Sequence, residues 1–193
     1  MKVAALSLFA VLGAVSCQAQ PAPLPDCEWC GVSEAPRNLS SSVVIAPKSE
    51  PGERMLLTGR VLQSDGRTPA ANVVLYAYHT NVEGVYPRRG DEQGNARRHG
   101  YLRGWLRTDA QGRYRIDTIR PGAYPSRVDP AHVHVVVGAP GKDEQYIDDF
   151  VFSDDPLVDA RYRSRVRNRG GSGITTLTKR DGVWYGSRDI VLP

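Results

Sequence analysis

His132 and His134 are the side chains in this sequence best spaced to do chemistry together. They stand in Pro130-Ala131-His132-Val133-His134, and Val135-Val136-Val137 follows. That β-branched run predicts a buried strand. Residues i and i+2 of a strand share a face. At ~3.3 Å rise per residue the two imidazoles lie roughly 6.6 Å apart along it. Side chains at that spacing can converge on one metal ion, with bonds of about 2.1 Å to each nitrogen. The chain holds only four histidines, and two of them are here.

The remaining reactive residue types carry weaker signals. His79 falls in a predicted strand and reads as packing or as support for ligands. His99 stands beside Arg97 and Arg98 in a long loop and is expected to be solvated. Asp148, Asp149, Asp154 and Asp155 lack the regular oxygen-ligand spacing of a calcium loop, so surface turns are expected. Trp29, Trp105 and Trp184 read as packing residues. Cys27-Glu28-Trp29-Cys30 is a C-x-x-C pair with no second pair to complete a zinc site. A local structural disulfide is the first reading, an interchain link the second and catalytic redox the third.

The elements that must position these residues are short. Strands are predicted over residues 55–62, 72–78, 105–108, 113–117, 132–137, 148–151 and 189–192. Ser64-Asp65-Gly66-Arg67, Asp109-Ala110-Gln111-Gly112 and Pro121-Gly122 supply turns between them. Short strands with regular turn signals predict an all-β sandwich or barrel. Residues 81–104 form a loop long enough to be functional. Residues 20–54 are rich in Pro and Ser and read as a linker or N-terminal arm, with Val43-Val44-Ile45 its one strand-like run.

The chain of 193 residues suits one domain with a leader and an arm. Met1-Lys2 precedes an apolar run too short to span a bilayer and laid out like a secretory signal. Cleavage is expected after Ala19, or before Cys17 if residues 12–17 act as a lipobox. The second reading would make a lipid on Cys17 the chain's membrane contact. Either implies export, to the periplasm, the medium or the envelope surface. The formal charge is +4, and Arg161, Arg163, Arg165, Arg167 and Arg169 alternate. An extended segment would place them on one solvated face. No interleaved aromatics suggest nucleic-acid binding.

From about Leu57 to Tyr162 the sequence resembles the intradiol ring-cleavage dioxygenases, the catechol and protocatechuate family. Gly59-Arg60-Val61 with Asp65-Gly66 is similar to the family's opening hairpin. Residues 78–86, ending in Gly84-Val85-Tyr86, resemble the segment that ends in its first tyrosine ligand. Residues 108–114 and 119–125, ending in Tyr124-Pro125, resemble the segment that ends in its second. Pro130-Ala131-His132-Val133-His134 resembles its histidine pair, and residues 152–157 the stretch after the metal strand.

The resemblance implies a β-sandwich with long irregular loops around a metal site. It implies that Tyr86, Tyr124, His132 and His134 bind one non-haem Fe(III) per chain. Phenolate is a hard anionic donor that favours ferric iron, and imidazole suits iron generally. The implied substrates are a catechol-type aromatic and O2, and the implied product is a muconate-type diacid. Tyr124 would be displaced by substrate and take its proton, while Tyr86 would stay bound. Where the family carries an arginine three residues before the first histidine, this chain has Asp129. Arg127, two residues earlier, is the candidate to replace it. A homo-oligomer stays open. The rival readings are a transthyretin-like or carboxypeptidase-regulatory-like binding module, which shares the turn motifs, and an iron-binding family member without ring cleavage. Histidines at 132 and 134 combined with Tyr86 argue against the first; Asp129 keeps the second in view.

Overall fold

A computed structural model describes residues 23–193. The expected leader, with its exits at Ala19 and Cys17, lies outside the described residues. A single 3-10 turn at Val32–Glu34 precedes β1 (Ser42–Val44), β2 (Arg54–Leu62) and β3 (Val74–His79). The long loop carries α1 (Ala96–His99). Then come β4 (Arg103–Arg107), β5 (Arg113–Ile119), β6 (His132–Gly138), β7 (Gln145–Tyr146) and β8 (Phe150–Phe152). After α2 (Ala160–Arg163) follow β9 (Ile174–Thr175), β10 (Leu177–Arg180), β11 (Val183–Ser187) and β12 (Ile190–Val191).

Two six-stranded sheets form. The first runs β1-β5-β2-β11-β10, with β12 also on β2, and the second runs β4-β3-β6-β8-β9, with β7 also on β6. The expected all-β sandwich is what the chain forms. Alternation explains it: Met55 and Leu57 of β2 and Ile116 of β5 are fully buried, as are Val133 and Val135 of β6, and these faces meet in one core. Each such side chain contributes ~1.5–3 kcal/mol of burial.

Three differences from the sequence reading have local causes. The hairpin of β10 and β11 was not among the predicted strands, although Asp181-Gly182 is the turn pair that builds one. Both residues adopt left-handed backbone, with φ 48° and 78°. The alternating arginines do not share an extended face, because α2 coils the segment at Arg161 and Arg163. All five stay exposed. Residues 23–54 pack onto the sandwich. β1 pairs in parallel with β5, and Ile45 and Ala46 join the core.

His79 ties the sheets together. Its Nδ1–H donates to Thr80 O at 2.7 Å, and its Nε2 accepts from Thr118 Oγ1, on β5, at 2.6 Å. Burial pushes its pKa down to about 4, and the neighbouring histidines add to that. The unfolded chain binds this proton near pH 6.5. Between those values the unfolded state holds more protons, so stability falls as pH falls. The urea midpoint is therefore expected to drop between about pH 7 and about pH 5; a flat profile would contradict this. At about pH 7, Thr118→Val should cost about 1–3 kcal/mol by leaving Nε2 unpaired.

Candidate metal centre

The alternation of β6 that buries Val133, Val135 and Val137 sends His132, His134 and Val136 to the opposite face of the second sheet. Register places Tyr78 of β3 against His134 and Tyr76 against Val136. Trp105 of β4 stands beside Tyr76. This outer face is thus aromatic. Tyr78 stacks on His134 at 4.5 Å and on His99 at 3.7 Å.

Hydrogen bonds assign both tautomers. His132 Nδ1–H donates to Pro130 O at 2.6 Å. His134 Nδ1–H faces the Tyr146 hydroxyl at 2.7 Å and Asp149 Oδ1 at 3.0 Å, while Tyr146 donates to Asp149. Both Nε2 atoms are left as lone-pair donors, and they face each other at 3.0 Å.

Tyr86 and Tyr124 reach the same point from two loops. Gly122 N–H donates to Asn81 O at 2.9 Å, and Thr80 Oγ1 donates to Gly122 O at 2.7 Å. The Asn81 side chain caps the Tyr86 turn, accepting from Glu83 N–H and Val85 N–H. Glycine is needed at the crossing. Gly84 has φ 78°, and a Cβ there would lie 1.9 Å from Ala123 O. The Tyr86 hydroxyl then sits 2.5 Å from Tyr124 Oη and 2.8 Å from His134 Nε2, and Tyr124 Oη lies 3.1 Å from the same nitrogen. The four residues singled out by sequence therefore converge.

The site also contains residues that sequence reasoning placed elsewhere. Asp149 is not in a simple surface turn: it is mostly buried and accepts from Tyr146 while facing His134 Nδ1. Burial raises its pKa, but His134, His132 and Tyr146 outweigh that and hold the carboxyl below its ordinary range. Its Oδ1 is committed to these partners, which makes Asp149 a support of His134 rather than a further donor. Asp155 accepts from Ala131 N–H at 2.8 Å and fixes the entry into β6. His99 is not solvated. It is 3% exposed, accepts from the Tyr76 hydroxyl through Nδ1, and donates from Nε2 to Glu28 O, both at 2.7 Å. Burial pushes its pKa down to about 4. No motif announced these contacts: His99 and Asp155 meet partners far apart in sequence, and Tyr146 and Asp149, three residues apart, come together on His134.

The arm closes one side of the site. Cys27 and Cys30 are disulfide-bonded. Asn95 Nδ2 donates to both of their carbonyls, and Glu144 accepts from Gly31 N–H and Val32 N–H. Trp105 packs on Tyr76 as expected, and its indole donates to Gly31 O at 2.6 Å. Trp184 packs against the main core as expected, and at its outer side its indole donates to Glu53 while Arg120 and Lys179 lie over its ring. A cavity of about 980 Å³ opens over Tyr86, Tyr124 and His134, walled by Trp29, Tyr78 and Tyr146. Arg98 and Arg169 stand in its wall. A smaller cavity of about 220 Å³ reaches Tyr124 and His132 from the side of Asp129. Arg127 lies on an exposed turn with φ 49° and lines neither cavity.

The donor set fits a highly charged cation. Ligands about 2.1 Å from one ion stand roughly 3.0–3.4 Å apart, and these atoms need little adjustment to reach that. Burial holds the Tyr86 and Tyr124 phenols above their ordinary range, so their oxygens ionise only against strong positive charge. Burial and His134 push His132 downward, which keeps its Nε2 unprotonated. Two deprotonated imidazole nitrogens 3.0 Å apart repel unless a cation lies between them.

A family model described as "Dioxygenase" matches residues 32–181. This chain belongs to the intradiol ring-cleavage dioxygenase family. Among its relatives, the protocatechuate 3,4-dioxygenase beta chain of Burkholderia cepacia is 34% identical over 113 residues, covering 55% of this chain and 48% of that one. Catechol 1,2-dioxygenase 2 of Acinetobacter lwoffii is 29% identical over 159 residues, covering 68% and 56%. This intradiol-family chain thus spans about half the length of those relatives. The fold matches the dioxygenase domain of a carbohydrate-binding fusion protein from Streptomyces sp. SirexAA-E. The TM-score is 0.63 at 21% identity, over 90% of this chain and 98% of that one. Catechol 1,2-dioxygenase of Acinetobacter sp. ADP1 gives a TM-score of 0.62 at 21% identity, over 79% and 57%.

The support of His134 can be measured without turnover. Asp149→Asn and Tyr146→Phe are each expected to weaken iron binding about 10–100-fold in chelator competition. Unchanged affinity in both would show that the Nδ1 contacts do not orient this imidazole.

Proposed function

We propose that this protein is a non-haem Fe(III) dioxygenase that cleaves a catechol-type ring between its two hydroxylated carbons. The observation that carries the reading is the meeting of two phenol oxygens and two imidazole Nε2 atoms at the floor of an aromatic cavity. Family membership supports iron dependence. Tyr86, Tyr124, His132 and His134 would hold the ion. The chemistry a bound ferric ion supplies is Lewis activation of a catecholate toward O2. Both oxygen atoms end in the product: the C–C bond between the hydroxylated carbons breaks, and catechol plus O2 becomes a muconic diacid.

The chain's own residues supply the rest. Tyr124 and His134 line both cavities, and Tyr124, carried on a loop rather than on a strand, is the proposed donor that meets an entering ring. Its Oη is the proposed acceptor of a substrate hydroxyl proton. Tyr86 packs against Tyr78 and His134 and is the proposed permanent ligand. Tyr78 and Tyr146 give the ring an apolar wall and restrict water around it. Arg127 is exposed and lines neither cavity, so this reading gives it no contact with the substrate oxygens. It lies one tight turn from Tyr124, its N–H donating to Tyr124 O at 2.8 Å. Export is also proposed, since an oxidising compartment suits the Cys27–Cys30 disulfide.

Iron-loaded protein is expected to show a visible tyrosinate-to-iron charge-transfer band and to consume catechol and O2 in equal amounts. Tyr124→Phe should shift the band and lower kcat by at least about 100-fold. A colourless protein that takes up no iron would overturn the reading, and full loading without ring cleavage would favour the member that binds iron but is inactive. Arg127→Ala should leave kcat/KM within about twofold of the wild type; a tenfold fall would bring Arg127 back to the substrate.

A further inference from the structure

The catechol reading above accounts for the floor of the main cavity but not for its size or its far wall. About 980 Å³ is the upper end of the range for cavities that hold drug-sized ligands, ~300–1,000 Å³. A single ring over the donors leaves most of that volume unfilled. Leading away from the donors is a row of rings. Tyr146 lies 6.0 Å from His134 between ring centroids, and Trp29 lies a further 6.0 Å from Tyr146, tilted at 59°.

Trp29 is held there by its backbone and by packing of its ring against the buried cluster of Tyr76, Tyr78 and Val136. The ring is half-buried and outside the main core. On one side, Cys27 O and Cys30 O accept from Asn95, and Glu28 O accepts from His99. On the other, Gly31 and Val32 donate to Glu144, and Gly31 O accepts from Trp105. The disulfide closes the loop between them. Among the described residues, no hydrogen-bond partner takes the Trp29 indole N–H. Tyr146 is equally fixed, since its hydroxyl is bound to Asp149 beside His134. The fold therefore presents two rigid aromatic faces beyond the metal centre at little ordering cost on binding.

We infer that Trp29 and Tyr146 form a second-ring subsite, and that the preferred substrates are catechols carrying another aromatic group. This rests on the catechol-cleaving reading. The catechol ring would sit on the donors, and its aryl substituent would stack in the Trp29–Tyr146 corner. Offset or edge-to-face contacts of this kind contribute ~0.5–1.5 kcal/mol beyond area burial.

The test uses the iron-loaded full chain with catechol and 4-phenylcatechol as substrates. Calorimetric binding of 4-phenylphenol, which cannot be cleaved as a catechol, is measured in parallel. In the wild type, kcat/KM for 4-phenylcatechol should exceed that for catechol by about tenfold. Trp29→Ala should lower this ratio about tenfold, chiefly through KM, and Trp29→Phe should restore most of it. Trp29→Ala should also weaken 4-phenylphenol binding. A ratio near one in the wild type, or an unchanged ratio in Trp29→Ala, overturns the subsite while leaving catechol cleavage standing. Binding of 4-phenylphenol that depends on Trp29, without cleavage of either catechol, upholds the subsite and overturns the enzymatic reading. Neither binding nor cleavage overturns both.

Discussion

One strand, β6, is common to the core and to the candidate centre, and its two-residue period divides the work. Val133, Val135 and Val137 face the other sheet, while His132 and His134 face away. A register slip of one residue would put imidazoles in the apolar core and valines at the site. Position in the register is therefore fixed by the burial energy of the sandwich. The histidines inherit that precision because they alternate with residues that cannot be moved. The same constraint extends across the sheet, where pairing with β3 sets Tyr78 against His134.

The oxygen donors obey a different rule. Tyr86 and Tyr124 lie on loops, where no ladder sets their position. Their placement comes from backbone contact between the loops, through Asn81, Thr80 and Gly122, with Gly84 leaving room for Ala123 O. The protein thus combines two imidazoles on a rigid strand with two phenols on braced loops. Such an arrangement lets one donor move while the others hold. Tyr124 is the proposed mobile donor: it lies on a loop and lines both cavities, whereas His134, which also lines both, is held in β6.

Around these donors, His79, His99 and Asp149 are buried with hydrogen-bond partners. His79 and His99 are kept neutral and use both ring nitrogens, one joining the two sheets and the other joining the arm to the aromatic face. Asp149 is the carboxylate beside the centre, and it serves Tyr146 and His134 together. Arg188 plays a comparable role away from the site, donating to the carbonyls of Asp148, Gly170 and Gly171. These contacts connect segments that have no stable structure of their own to the sandwich.

The sequence by itself determined the all-β class, most strands and the histidine pair, while Tyr86 and Tyr124 were marked by resemblance to the family rather than by any local pattern. Alternation and turn residues act locally, and a His-x-His pair on a β-branched run carries its geometry with it. It also carried the Asp181-Gly182 hairpin signal, which needed only to be weighed. Only the tertiary structure decided the roles of Asp149, Tyr146, His99 and Trp29. His99 and Trp29 depend on partners distant in the chain, as when His99 meets Glu28 O or Asn95 meets Cys27 O, while Tyr146 and Asp149 take their role from how the folded loop brings both to His134. Burial and hydrogen bonding of that kind depend on which loops the sandwich brings together, and local propensity holds no record of it.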